Sequence, residues 1–220
     1  MSRVAVAVPV YRNASTLAPL VARLSAALAV RDWRLRLVGD ACPAGSADVA
    51  LRLAADPRSG VTVLSVNGGQ HAALRRGLAD EPDADVWVCM DADLQDPPEA
   101  VPLLLDRLAA GDVATVFAGR RGAYESWLRR ATGGLHRRVA ARLTGLPPDA
   151  GAFLAMGPPV RDSVLAADAP SVVLAVGLAR RPVTSVPVVR DLRPEGRSAW
   201  TARARLAQSV RSLAWALRQR

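Results

Sequence analysis

Val86-Trp87-Val88-Cys89-Met90 runs directly into Asp91-Ala92-Asp93-Leu94-Gln95-Asp96-Pro97-Pro98-Glu99. The first five residues read as a buried strand, because they form a short apolar run that ends abruptly in polar residues. Two carboxylates one residue apart at such a strand end can grip a hard divalent cation together, and the cation can in turn hold a diphosphate. Pro97 and Pro98 suit the first turn of a helix over about 98–110. Strand, acidic turn, helix is therefore the unit from which the rest of the chain is read.

On the amino-terminal side the same alternation recurs. Strands are predicted over Arg3–Val10, Leu35–Val38 and Val61–Val66. Between them, Leu17, Leu20, Val21, Leu24 and Leu28 stand at helical spacing, with Asn13 or Ser15 available as cap. Short helices follow over about 46–55 and from Ala72 to Leu78, and Val113–Phe117 makes a fifth strand. Strands alternating with helices imply an α/β layer fold with a mainly parallel central sheet. Ligands of such sheets collect at the carboxyl ends of the strands. Pro9–Tyr11, Asp40, Asn67–Gly69 and Asp91–Gln95 all fall there.

Beyond residue 118 the pattern loosens. An arginine-rich helical stretch is expected over about 124–144, a return strand over Asp149–Met156 and two short helices over 158–180. A late strand over Val183–Val189 and a loop over Arg193–Trp200 come next. The tail is helical, with Leu206, Val210, Leu213 and Leu217 on one face and Arg203, Arg211 and Arg218 around the others. The organisation expected is one domain over 1–198 and an amphipathic basic helix over 199–220.

Composition narrows the classes. Half of the 220 residues are apolar, enough for a full core, and no uninterrupted apolar run is long enough to span a membrane. The N-terminus enters a strand at once and has no signal-peptide pattern. Cys42 and Cys89 lie far apart in sequence and make no metal-ligand spacing, which favours a reduced, cytoplasmic setting. Net charge is +9 and every basic residue is arginine. Residues 1–118 hold 11 Arg against 14 Asp and Glu, whereas residues 119–220 hold 18 against 6. The basic half should face something anionic: nucleic acid, a membrane surface or a phosphorylated lipid. Nucleic acid is disfavoured, because only Tyr124 and Trp127 accompany the arginine cluster.

With these residues assembled, the chain resembles the inverting family-two glycosyltransferases of the GT-A (Rossmann-like, nucleotide-sugar-binding) fold. It is most similar to their polyprenyl-phosphate branch, which includes dolichol-phosphate mannose synthase. The matching pieces are Val8–Tyr11, Val38–Asp40, Asn67–Leu74, Asp91–Glu99, Gly119–Arg121, Asp149–Phe153 and Arg193–Ser198, in the family's order. The nine residues from Asp91 to Glu99 are the specific part; a bare Asp-x-Asp is weak. The chain departs from the pattern at three places. Gly39-Asp40-Ala41-Cys42 replaces the family's Asp-Asp-Gly-Ser, Arg12-Asn13 replaces its Asn-Glu, and Leu154 stands where an arginine usually follows the Phe.

The resemblance implies roles. Asp93 and Gln95, with Asp91, would ligate Mg²⁺ or Mn²⁺ on the diphosphate of a nucleoside diphosphate sugar. Pro9 and Tyr11 would line the base pocket, Asp40 would face the base or ribose, and Gly69 would let backbone approach the donor. Arg120, Arg121 and Arg130 would hold an acceptor phosphate, and Arg193 would close over the donor diphosphate or that phosphate. Asp149 would lie near the reacting centre, as a base toward a hydroxyl acceptor or as the residue that orients an arginine. The expected reaction is metal-dependent sugar transfer with inversion, to a polyprenyl phosphate at the inner membrane face. The alternatives are a soluble hydroxyl acceptor and a degenerate nucleotide-sugar-binding subunit. His71 reads as a packing residue rather than a base. The basic tail helix would lie against anionic headgroups, pack on the domain or form a homodimer contact.

Overall fold

The computed structural model describes residues 2–42, 45–121 and 144–191, together with Ser212, Ala214, Trp215 and Arg218 of the tail. The elements run in order: β1 (Val4–Val10), α1 (Ala14–Ala27), β2 (Trp33–Asp40), α2 (Ser46–Leu53), β3 (Ser59–Leu64), α3 (Gln70–Ala79) and β4 (Val86–Cys89). A 3₁₀ turn (Pro98–Ala100), α4 (Val101–Ala109) and β5 (Thr115–Arg121) follow. The chain then forms β6 (Leu154–Met156), α5 (Pro158–Ala166), α6 (Val172–Leu178) and β7 (Val183–Val189).

The strands make one sheet in the order β3-β2-β1-β4-β6-β5-β7. All pairings are parallel except those of β6, which runs against both β4 and β5. The polar carboxyl ends of β1 to β5 and of β7 therefore share one edge.

The alternation within β1 explains the two layers. Side chains on a strand point to opposite faces in turn. Val4, Val6, Val8 and Val10 pack with Leu17, Leu20, Leu24 and Leu28 of the first helical segment and with Leu104 and Leu105 of α4. Ala5 and Ala7 face the other way, toward Leu74 and Leu78 of α3 and Val160 and Val164 of α5. Small residues on that face let α3 come close: a β-carbon at Gly77 would lie 2.9 Å from that of Ala7. Each fully buried leucine of α1 contributes roughly 1.5–3 kcal/mol of burial free energy, so Leu24→Ala would open a cavity under β1.

Three local expectations need correction. Asn13 does stand at the cap position of α1, but its side chain makes no bond to the helix and accepts one from the Tyr11 N–H instead. Arg120 and Arg121 do not follow β5; they belong to it, paired with Val188 and Val189 of β7, which extends the strand to the sheet edge. The return strand is confined to Leu154–Met156, because only these residues find partners on both sides. The helix expected over 124–144 and most of the tail lie outside the described residues, and so does any boundary near 198. Among the described residues no helix is long and apolar enough to cross a membrane.

Candidate active site

Four loops at the carboxyl edge are tied to one another by hydrogen bonds. In the loop after β1, Arg12 has a left-handed backbone (φ 58°). Its N–H donates to the Cys42 Sγ at 3.1 Å, and the Asn13 N–H donates to the Ser46 Oγ at 3.0 Å. The Cys42 thiol in turn lies 3.6 Å from the Ser46 hydroxyl. The first and second loops are thus stitched together by two short polar side chains, Cys42 and Ser46. Pro9 and Tyr11, the expected base-pocket residues, are half-buried beside this seam, and the Arg12 guanidinium sits 5.4 Å from the Tyr11 ring centre.

Asp40 ends β2 and is only 3% exposed. One carboxylate oxygen accepts the Gly68 N–H at 2.7 Å and the other accepts the Gly69 N–H at 2.8 Å. The Asn67 amide donates to the Asp40 carbonyl at 3.1 Å. The side chain expected to face the base or ribose is committed on both oxygens to the loop after β3. A buried carboxylate needs such donors, and the third loop supplies them. Gly69 has φ 82°, a left-handed conformation that glycine adopts without strain, and it leads straight into α3.

Gln70, the first residue of α3, reaches across to the acidic turn, where its amide donates to Asp91 at 2.5 Å. Thr16 of α1 donates its hydroxyl to the Ala92 carbonyl at 2.5 Å. Within the turn, the Gln95 N–H bonds to the Asp93 carboxylate at 3.1 Å, and Leu94 between them is left-handed (φ 60°) while only 7% exposed. A buried leucine in that conformation costs about 1–2 kcal/mol, and the surrounding bonds hold it there. Asp91, Asp93 and Gln95 thus lie in one hydrogen-bonded turn.

Among the described residues no three His, Cys, Asp or Glu side chains form a complete protein cage for a metal. Two carboxylates and an amide oxygen fit a different case. Mg²⁺ and related hard cations are commonly held by one or two carboxylates and complete their shell with substrate phosphate and water. The donor set of the turn fits a cation that arrives with a diphosphate.

At the end of β5, Arg121 and Asp149 come together at 3.4 Å, with the arginine 59% and the aspartate 18% exposed. The approach requires Gly119, because a β-carbon there would overlap the Asp149 carboxylate. The second Asp149 oxygen is buried and has no hydrogen-bond partner among the described residues. Arg120 lies between them in β5. Arg130 and Arg193 lie outside the described residues.

His71 accepts the Val172 N–H on Nδ1 at 3.4 Å, and burial pushes its pKa down to about 4. It is a neutral link between α3 and α6. Burial, then the nearby Asp91 charge, pushes the Cys89 thiol well up, so it is an inert core group.

One pair was not foreseen from the sequence. Arg190, just past β7, donates to Asp96 at 2.6 Å, and the two side chains are 7% and 2% exposed. The available signal was an arginine closing the predicted strand Val183–Val189. A charge at that position must either reach solvent or meet an acid at the same sheet edge.

The comparisons with known proteins agree with this fold. The sequence model of "Glycosyl transferase family 2" matches residues 5–155. Undecaprenyl-phosphate 4-deoxy-4-formamido-L-arabinose transferase of Serratia proteamaculans is 33% identical over 151 residues, 66% of this chain and 45% of that protein. The Pseudomonas fluorescens enzyme of the same name is 34% identical over 210 residues, 90% of this chain and 60% of that one. The chain thus spans about half the length of most curated relatives it matches. Among solved structures, glucosyl-3-phosphoglycerate synthase of Mycobacterium tuberculosis with uridine diphosphate superposes with a TM-score of 0.71 at 18% identity, over 99% of this chain and 80% of that one. Its complex with Mn²⁺, uridine diphosphate and phosphoglyceric acid gives 0.69 at 17%, over 99% and 78%. The mixed seven-stranded sheet is that of the GT-A glycosyltransferases. With the motifs in order along a matching fold, the chain belongs to glycosyl transferase family 2.

Proposed function

We propose that this protein transfers a sugar from a nucleoside diphosphate to a polyprenyl phosphate, with inversion at the anomeric carbon, at the inner face of a membrane. The observation that carries the reading is the acidic turn, clamped by Gln70 and Thr16, with two carboxylates and a glutamine amide offered at the sheet edge. The curated relatives are named as undecaprenyl-phosphate sugar transferases, which supports the acceptor class.

Asp91, Asp93 and Gln95 would hold Mg²⁺ or Mn²⁺. When bound, the ion neutralises charge that builds on the departing diphosphate. The chain's own part is placement. Asp40 fixes the Asn67–Gly69 loop so that backbone can approach the donor. Pro9 and Tyr11 flank the base, and Arg120 and Arg121 receive the acceptor phosphate, whose oxygens suit the guanidinium fork. Arg130 and Arg193 belong to the same proposal. A phosphate acceptor is already an anion and needs positioning more than a base. Asp149 then serves by orienting Arg121, as their 3.4 Å contact suggests.

A second reading rests on the other Asp149 oxygen, which is buried without a partner among the described residues. A soluble acceptor bearing a hydroxyl would need a base, and Asp149 would be the residue to supply it.

The test is turnover of UDP, GDP and dTDP sugars with Mn²⁺, using undecaprenyl phosphate in micelles or a soluble sugar as acceptor. Transfer to the lipid from one donor, lost with chelator, is expected. Asp93→Ala should lower kcat/KM about a thousandfold, roughly 4 kcal/mol. Turnover with soluble acceptors alone selects the second reading. Nucleotide-sugar binding without any turnover would mark the chain as a binding subunit instead.

A further inference from the structure

Arg190 sits where three parts of the molecule meet. Its side chain pairs with Asp96 behind the acidic turn at 2.6 Å, and its N–H donates to the carbonyl of Arg121, the acceptor-side arginine, at 3.1 Å. The next residue, Asp191, donates its N–H to the carbonyl of Gln95 at 2.9 Å. Outside this, Arg23 of α1 grips Glu99 with two bonds of 2.7 Å and reaches Asp191 at 3.2 Å. The turn bearing Asp91, Asp93 and Gln95 is therefore held from behind by the end of β7.

Burial would lower the pKa of Arg190, but Asp96, then Asp91 and Asp93, outweigh it and hold the guanidinium above its ordinary value. It is a fixed cation paired with Asp96 and influenced by the charges of Asp91 and Asp93. A cation beside a metal site would by charge alone repel the metal. Asp96 cancels most of that field at contact distance, so the pair acts on the turn through geometry. The second Asp96 oxygen is buried with no partner among the described residues, so Arg190 alone holds that carboxylate.

We propose that Arg190 is the positioning residue of the cation-binding turn: its ion pair with Asp96, together with the Asp191–Gln95 backbone bond, sets Asp91, Asp93 and Gln95 in the arrangement that receives a divalent cation with a diphosphate. The inference rests on the reading of that turn as the metal site. Partners behind metal ligands are commonly worth about ten- to a hundredfold in affinity.

The experiment is Mn²⁺ binding followed by electron paramagnetic resonance with UDP present, on folded protein as judged by circular dichroism. Arg190→Gln should weaken Mn²⁺ at least about tenfold. Because it strands a buried carboxylate, it could also unfold the protein. The double variant Arg190→Met with Asp96→Asn removes both charges at once, leaves the local net charge unchanged and isolates geometry; it too should bind Mn²⁺ about tenfold more weakly. Arg190→Lys should recover part of the loss. Wild-type affinity in the folded double variant would reduce the pair to a structural role and overturn the proposal. So would tighter binding by Arg190→Gln, since that is what simple charge repulsion demands. Asp93→Ala separates the two layers. If it binds Mn²⁺ like wild type, the metal reading itself fails and takes the inference with it. If it loses Mn²⁺ while the Arg190 variants do not, only the inference fails.

Discussion

The edge formed by β1 to β4, the proposed donor side, and the edge formed by β5 and Asp149, the proposed acceptor side, are built differently. On the donor side every loop is bound to its neighbour through short contacts that are buried or part-buried: Asn13 to Ser46, Asp40 to Gly68 and Gly69, Gln70 to Asp91, Thr16 to Ala92. On the acceptor side one long ion pair joins Arg121, which is largely in solvent, to Asp149. A diphosphate and its cation have one geometry, and a lattice of mutual hydrogen bonds suits that demand. A lipid phosphate arriving at a surface needs a charge that can reach out to it. If this contrast is right, substitutions on the donor side should cost stability, and those on the acceptor side should cost acceptor recognition.

Asp40→Ala is the hardest test on the donor side. It removes the buried carboxylate that accepts the Gly68 and Gly69 amides and unties the part-exposed loop they belong to. Bonds to a charged group are worth about 1.5–3 kcal/mol each, with incomplete additivity, so a loss of about 3–4 kcal/mol in urea unfolding is expected. A loss under 1 kcal/mol would show that the loops stand independently.

His71 offers a smaller test through pH. Its folded pKa lies near 4, below the ordinary value of about 6.5 for an exposed histidine. The folded state therefore favours the neutral ring. This contribution is complete above about pH 6.5 and is lost as pH falls from there toward 4. Roughly 3 kcal/mol should disappear across that window, and His71→Gln should flatten the profile between pH 7 and 4. An unchanged slope would mean that the ring titrates normally and does not lock α3 to α6.

On the other side, Arg121→Ala should raise KM for the phosphate acceptor about tenfold, near 1.4 kcal/mol, while leaving donor affinity and melting temperature close to wild type. A change in donor affinity instead would erase the division between the two edges.

The same division explains what was readable in the sequence. The donor side was legible because its chemistry is local: Val86–Met90 followed by Asp91–Glu99 is contiguous, and strand and helix periods place it at a sheet edge. Asp40 was found at its strand end, but its partners were not, since Gly68 and Gly69 are joined to it only by the pairing of β2 with β3. Arg190 and Asp96 stand 94 residues apart and meet through the order β4-β6-β5-β7, which no periodicity reveals. Arg120 and Arg121 were recognised as residues yet placed after the strand, because an arginine pair looks like a loop until β7 is seen to cover it.

The departure at Gly39-Asp40-Ala41-Cys42 brings the smallest expected effect and the sharpest use of the contrast. Cys42 stands where the family pattern has serine. Its sulfur accepts the Arg12 N–H and meets Ser46, so a short polar side chain is still bridging the first two loops. Ala41 stands where the pattern has glycine and keeps a left-handed backbone, φ 47°. An alanine forced into that region costs about 1–2 kcal/mol in the folded state, against which glycine loses somewhat under 1 kcal/mol of chain entropy. Ala41→Gly should therefore stabilise the protein by about 0.5–1 kcal/mol, a shift readable in urea or by calorimetry. The loop conformation is held by Asp40 on one side and Cys42 on the other, so the substitution should leave nucleotide affinity unchanged. Destabilisation by Ala41→Gly would mean that the turn is not strained in solution, and the rigid lattice ascribed to the donor edge would then have to begin at Asp40 rather than include its neighbour.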